Sequence, residues 1–351
     1  MNGRASGGGS RLLMAAITGC AILFSGGCAG GGATEPVIRI TGPLGGYHNL
    51  YYQGMRYGLF VPPSYDPARK YPLILYLHGS TDTTTWDFGW YHDPIQSQDP
   101  VFVVSPKSLQ ASSGWGTNWD TGFSVDLQKA MEVLGDVVYQ FSIDTTRLYV
   151  TGTSMGGFGT FNVISKRPGV FAAAYAICGG GTPMTAAEMA QTPLWIFHGG
   201  ADPVVPTQLS RDIYHAIQQA GGTQVRYTEY PGVGHNAWDY TAKEKTLDRW
   251  FLAQRKGVAH GSPDTVRSAQ LTVTDGRAAL SWAAPADTSS ADHAVWFYRV
   301  YRDGTLLAEV ENPTYADGPL ATGATYAYTV ASVNYYFRES ARSGPVRAAI
   351  P

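Results

Sequence analysis

The sequence predicts an α/β domain, a mostly parallel sheet covered by helices on both faces, followed by a small all-β sandwich. Three observations predict it. Continuous apolar runs, such as residues 73–77, alternate with stretches of helical spacing, such as 125–139. One such run ends in a turn holding Gly152-x-Ser154-x-Gly156 and passes directly into a helical pattern. After Gln254 the texture changes to short alternating segments separated by Asp275-Gly276, Asp303-Gly304 and Asp317-Gly318.

In chain order, residues 1–35 stand outside the fold. Arg4 and Arg11 precede an apolar stretch, 12–24, that is short for a bilayer span, and a Gly-rich tether follows. The stretch resembles a bacterial lipoprotein signal in which Cys28 becomes the lipidated N-terminus. Cys20, after Ile17-Thr18-Gly19, is the alternative, and an ordinary secretory signal is the plainer reading; each exports the protein. Cys178 is then the one cysteine left in the folded part, which rules out an intrachain disulfide there and suggests packing at a strand end. A formal net charge of −2 with 15% charged residues argues against a nucleic-acid partner.

The catalytic region, residues 36–257, reads as alternating strands and helices. Strands are expected at 37–41, 56–61, 73–77, 101–104, 148–150, 171–177, 194–197 and 225–229. Helices are expected at 125–139, 158–164, 209–220 and 244–254. That alternation calls for a mostly parallel sheet. The turn after Val150 is a nucleophile elbow: glycines flank the serine so that a strand can run sharply into a helix and present the hydroxyl. The motif alone arises by chance about 0.3 times in so glycine-rich a chain, so its context carries the argument.

Four stretches carry a resemblance: Tyr76-Leu77-His78-Gly79-Ser80, residues 152–157, His198-Gly199-Gly200-Ala201-Asp202-Pro203-Val204-Val205-Pro206, and Pro231-Gly232-Val233-Gly234-His235. From Arg56 to Gln254 the chain resembles an α/β-hydrolase. Within that fold it is similar to the group containing feruloyl esterases, acetyl xylan esterases, polyhydroxybutyrate-depolymerase-like enzymes and peptidase-like relatives. The resemblance implies Ser154 as nucleophile, Asp202 as the acid and His235 as the base, in the chain order of that fold. Asp239 is the rival acid. The oxyanion hole would use the backbone N–H of Met155 and that of Gly79 or Ser80, with His78 shaping the loop. No metal or cofactor is required.

Two aromatic loops are expected to shape the pocket through Trp86, Trp90, Trp115 and Trp119, with Trp238 close behind His235. The segment between Cys178 and Pro193 is too short for a large helical cap, which predicts an open site. The expected partner is an ester substrate, with the end or side chain of a polymer among its forms, and the membrane is met only through the N-terminal lipid anchor.

Residues 258–264 read as a linker and 265–351 as a β-sandwich that resembles a fibronectin type III module. The residues that carry this resemblance are Leu280-Ser281-Trp282, Tyr298 to Gly304, and Leu320 through Tyr326, which would be the corner tyrosine, to Val330. Such modules usually serve as spacers; Trp296, Tyr335, Tyr336 and Phe337 would be the residues for a ligand-binding role. The reading is an exported serine carboxylic-ester hydrolase acting on acyl or feruloyl esters of plant polysaccharide. The rivals are a polyester depolymerase, a serine peptidase, and a non-catalytic surface-binding lipoprotein.

Overall fold

A computed structural model describes residues 38–80, 96, 99–110 and 114–351. The leader with Cys28, and the loop holding Trp86 and Trp90, lie outside the described residues.

Eight strands form one mixed sheet in the order β1-β2-β4-β3-β5-β6-β7-β8. They are β1 (Gly46–Tyr52), β2 (Met55–Val61), β3 (Tyr71–Leu77), β4 (Phe102–Pro106), β5 (Ile143–Thr153), β6 (Ala173–Ile177), β7 (Leu194–Gly199) and β8 (Val225–Tyr230). β1 and β2 pair antiparallel, as do β2 and β4; every pairing from β4 through β3 to β8 is parallel. The helices are α1 (Val125–Gln140), α2 (Met155–Lys166), α3 (Ala186–Met189), α4 (Thr207–Gln219), α5 (Trp238–Thr241) and α6 (Leu247–Ala253). This is an α/β-hydrolase-type architecture, and no helix among the described residues is long and apolar enough to cross a membrane.

Two strand expectations change. Residues 38–41 form no strand: Ile38 and Ile40 pack on the core, but their backbone joins no ladder. The edge strand is β1 instead, whose Tyr, His and Asn content hides the period-two alternation of its burial. The predicted helix at 244–254 shortens to α6, and the single-turn α5 precedes it.

Helices lie on both faces, but the two faces are not covered alike. Because strand side chains alternate, Leu73, Leu75, Val150 and Ile196 point one way and Ile74, Tyr149, Tyr175 and Trp195 the other. The first face is covered by α1, α2 and α4, through Leu134, Phe161 and Ile213 among others. The second face meets Leu247, Trp250 and Phe251 from around α6, and then Trp296, Phe297, Val333 and Phe337 from the C-terminal region.

That region is all-β. A three-stranded sheet, β13-β10-β9, and a four-stranded sheet, β12-β11-β14-β15, enclose a core of their own around Leu280, Val300, Tyr328 and Val330. The strands are β9 (Arg267–Thr274), β10 (Arg277–Ala283), β11 (Val295–Arg302), β12 (Thr305–Val310), β13 (Thr314–Asp317), β14 (Thr325–Asn334) and β15 (Val346–Ala349). The four residues of β13 are too few for a periodic signal. The Asp-Gly pairs at 275–276 and 303–304 both have positive φ, as a two-residue hairpin with the right twist needs.

The aromatic cluster considered for ligand binding is instead interface. Trp296 packs edge-on against Trp195 and face-on over Trp250, and Tyr335 stacks on its other side. The Arg226 guanidinium lies 4.6 Å from the Trp195 ring and 4.7 Å from that of Trp296, and pairs with Glu311 at 2.9 Å. Polar contacts cross the same boundary, from Arg299 to the Thr223 carbonyl and from Gln224 to that of Tyr336. The segment joining the two regions is bonded down as well: Asn334 donates to the Gly261 carbonyl and Ser332 to that of Asp264.

Candidate active site

The elbow is built at the carboxyl end of β5. Ser154 has φ +56° and ψ −116°, a strained conformation for an L-residue, and stands immediately before α2. The neighbouring glycines are required by close approach. A Cβ on Gly156 would fall 1.7 Å from the Leu77 carbonyl oxygen, and one on Gly152 would fall 2.3 Å from that of Gly156. β3, β5 and α2 therefore meet with no room for side chains, and the serine hydroxyl is left at the helix N-terminus.

His235 and Asp202 come to it from the loops after β8 and β7. His235 Nε2 lies 2.9 Å from Ser154 Oγ, and His235 Nδ1 lies 2.7 Å from Asp202 Oδ2. Because a carboxylate only accepts, Nδ1 carries the proton and Nε2 is free to take one from the serine. The Asp202 side chain is fully buried, and its other oxygen accepts from the backbone N–H groups of Val204 and Val205 at 2.8 and 3.0 Å. Burial by itself would raise the Asp202 carboxyl. The hydrogen bonds from His235 and from the Val205 and Val204 amides outweigh it and hold the carboxyl below its ordinary value. Asp239, the rival acid, is exposed and accepts from Asn236 instead.

The residues expected at the oxyanion side come from two elements that meet beside Ser154. Met155 is the first residue of α2, where N–H groups have no partner within the helix. Gly79 packs against the nucleophile: its Cβ position would lie 3.7 Å from Ser154 Cβ. Ser80 follows it and is exposed. His78 shapes this loop. Its Nε2 accepts the Ser108 N–H at 3.0 Å, so Nδ1 is the donor to the Gly79 carbonyl at 2.7 Å.

The five tryptophans expected at the pocket separate. Trp115 is a correction: it is completely buried, its Nε1–H donates to the His78 carbonyl at 3.0 Å, and it packs where α2 carries Gly159. It supports the His78–Gly79 loop from behind and has no surface to offer a substrate. Trp119 is 54% exposed and stands edge-on to Phe158, one helical turn beyond Ser154. Trp238 meets the His235 ring edge-on at 5.5 Å. Trp86 and Trp90 fall outside the described residues.

Between β6 and β7 the chain holds only a three-residue 3-10 turn (Pro183–Thr185) and the four-residue α3. No helical cap is inserted there among the described residues. The apolar concavity lined by Ile38, Leu44, Tyr65 and Phe141 lies at the amino ends of β3 and β5, away from the triad at the strands' carboxyl ends.

Two buried residues beside these three make contacts that sequence reasoning did not assign to them: His198, read only as part of a motif, and Cys178, read as packing at a strand end. His198, the penultimate residue of β7, lies 3.2 Å from Asp202 Oδ2. Its sequence signal is a histidine inside an apolar strand, four residues before an acid. Cys178 follows β6 directly in a left-handed conformation, and its thiol donates to the His235 carbonyl at 3.3 Å. Burial pushes that thiol up to about 12, so it stays protonated and can hold the base's backbone. Among the described residues, Cys178, Asp202 and His235 offer possible metal-ligand atoms within 4.8 Å of one another, each already hydrogen-bonded within the site.

Comparison with known proteins accords with this arrangement. Residues 52–257 match the family profile Esterase, described as "Putative esterase". The chain is 28% identical over 201 residues to a bifunctional acetylxylan esterase/xylanase of Neocallimastix patriciarum, covering 54% of this chain and 29% of that protein. It is 28% identical over 236 residues to a poly(3-hydroxyoctanoate) depolymerase of Pseudomonas fluorescens, covering 60% of this chain and 81% of that protein. The crystal structure of a thermostable esterase superposes with a TM-score of 0.54 at 31% identity, over 60% of this chain and 63% of that one. The chain thus spans under a third of the first of these relatives and under two thirds of the solved esterase.

Proposed function

The chain belongs to the Esterase family, residues 52–257 form its serine-esterase domain, and from that premise we propose that the whole protein is an exported carboxylic-ester hydrolase acting on acyl or feruloyl esters of plant polysaccharide. The observation that carries the chemistry is the unbroken line from Ser154 Oγ through His235 to the buried Asp202. The acetylxylan esterase/xylanase relative supports the substrate class.

In the proposed mechanism His235 Nε2 takes the Ser154 proton as Oγ attacks the ester carbonyl carbon. The oxyanion is met by the N–H of Met155 and that of Gly79 or Ser80. The tetrahedral intermediate collapses, the C–O bond to the alcohol breaks, and the alkoxide leaves with the proton held on His235. Water, deprotonated by the same nitrogen, then cleaves the acyl-enzyme and restores Ser154. Asp202 stabilises the imidazolium formed in each half of the cycle. Trp119 and Trp238 are assigned to the substrate side of this array.

A second reading is a polyester depolymerase. Exposed Met184 and Val204, together with Trp119, put apolar side chains on loops at the catalytic end, and apolar polymer would suit them. The polyester depolymerase relative supports it. We also propose the boundaries 1–35 for a leader lipidated at Cys28, 36–257 for the catalytic domain, 258–264 for the linker and 265–351 for a fibronectin type III module. The three-plus-four strand arrangement supports the last, as does Tyr326, whose hydroxyl accepts the Ala321 N–H at 3.4 Å.

The test is a substrate panel beside Ser154→Ala: methyl ferulate, acetylated xylan, a short-chain polyester film and a peptide anilide. Serine-dependent turnover of ferulate or acetylated xylan is expected, with kcat reduced at least about a thousandfold in the variant. Film clearing without those activities would move the protein to the polyester reading. Ester hydrolysis that survives Ser154→Ala would remove the triad assignment.

A further inference from the structure

Asp202 is hydrogen-bonded by three donors, and the mechanism above uses one. A fourth N–H lies beside its catalytic oxygen, that of His198, which is completely buried and whose contacts fix its protonation. Its Nε2 lies 3.1 Å from the Val205 carbonyl oxygen and 3.2 Å from Asp202 Oδ2. Both neighbours only accept, so Nε2 must carry a hydrogen. Its Nδ1 lies 2.7 Å from Ser210 Oγ on α4, a hydroxyl that can donate. Burial disfavours the imidazolium and lowers this histidine from its ordinary range. The result is a neutral ring whose single Nε2–H is hydrogen-bonded to the Val205 carbonyl with Asp202 Oδ2 close beside it, and the Ser210 hydroxyl holds that tautomer in place. The same hydroxyl also has the Gly179 carbonyl within 3.2 Å, an acceptor it can turn to if the ring nitrogen is lost.

We propose that His198 is a positioning residue for the acid–base pair, its Nε2–H sharing Asp202 Oδ2 with His235 so that the carboxylate is fixed in orientation and in charge. This rests on the triad reading above. With two backbone N–H groups hydrogen-bonded to Oδ1, the His235 N–H on Oδ2 and His198 Nε2 beside that oxygen at 3.2 Å, both oxygens of Asp202 are held in place. The shared proton also withdraws part of the charge that Oδ2 presents to His235. The charged and titratable groups around His198 are Asp202, Glu229 from β8, held by Arg211 at 2.6 Å, and His235 across the carboxylate. Cys178 approaches Asp202 from β6 as a neutral thiol.

The experiment measures kcat, KM and the pH profile of p-nitrophenyl butyrate hydrolysis by the full chain and by His198→Met, His198→Gln, Ser210→Ala and Ser154→Ala. Methionine fills the space and removes the donor; glutamine places an amide N–H near the position of Nε2. His198→Met is expected to lower kcat about tenfold with KM within about twofold, because the loss lies in the reacting state and not in binding. Its acid limb should move to higher pH, since an undershared carboxylate favours the protonated base more strongly. His198→Gln should recover most of kcat and return the limb. Ser210→Ala, which frees the tautomer, should lower kcat about two- to threefold and move the limb the same way. Native kcat and acid limb in His198→Met would overturn the proposal. So would equal losses in the methionine and glutamine variants with the limb unmoved, which is the signature of packing alone. Should His198→Met not fold, Ser210→Ala decides, and an unchanged kcat there overturns the proposal. Hydrolysis surviving Ser154→Ala is a different failure: it removes the triad reading, and this inference with it.

Discussion

The two faces of the eight-stranded sheet are covered in different ways. One face is closed by α1, α2 and α4, which lie between the strands in sequence and pack through Leu134, Phe161 and Ile213. The other is closed, among the described residues, by α6 and by Trp296, Phe297, Val333 and Phe337, which follow all eight strands in sequence. The first is the local solution that a parallel sheet enforces, because each crossover needs a helix. The second borrows a layer from a region with its own core. The C-terminal sheets are thus part of the catalytic region's hydrophobic closure rather than a spacer hung beside it.

The sharpest way to break this comparison is to remove the borrowed layer. A chain ending after residue 257 should expose Trp195 and Trp250, lose soluble expression and show no cooperative melt. If it folded with the melting temperature of the full chain, the second face would need no cover and the contrast would fail. Arg226→Ala probes the same boundary with one side chain. It removes a guanidinium packed against two indole rings that also touch each other, and should cost about 2 kcal/mol in urea unfolding, still as one transition. A variant that melts in two steps would show that the two regions are only loosely joined.

The smallest effect concerns charge under the borrowed side. Asp248 on α6 is half-buried, and burial pushes its carboxyl up to about 6. A raised carboxyl favours the folded state below the unfolded value near 3.8, and that advantage is lost as pH rises through about 6. Asp248→Asn should therefore stabilise the protein by about 1 kcal/mol at pH 8, after allowance for its partial solvent contact, and by nothing at pH 3.5. Equal stabilities at both pH values would remove the desolvation argument.

Much of the catalytic end is legible because close approach constrains residue type there. Gly152, Ser154 and Gly156 are needed where β3, β5 and α2 touch, so the elbow leaves a mark in the chain itself. His235 and Asp202 are readable because they follow apolar strands in a fixed order. Trp115 was misread because an indole on a loop beside a site looks the same in sequence whether it faces substrate or, as here, donates inward to the His78 carbonyl. β1 was missed because its outward residues are Tyr and Asn and its inward ones include His48, which leaves no apolar period to detect.

By itself the sequence determined the alternation of strand and helix, the elbow, the chain order of the triad residues and the change to short strands after Gln254. These depend on local period, on backbone conformation and on the bulk allowed at single positions. Tertiary structure alone decided that Trp296 and Phe337 turn inward onto the sheet, that Arg226 packs against two indoles, and that His198 comes within 3.2 Å of the Asp202 oxygen that His235 uses. Those contacts join side chains whose meeting depends on how the sheet stacks and where a β-region docks, and no local pattern records such a distance.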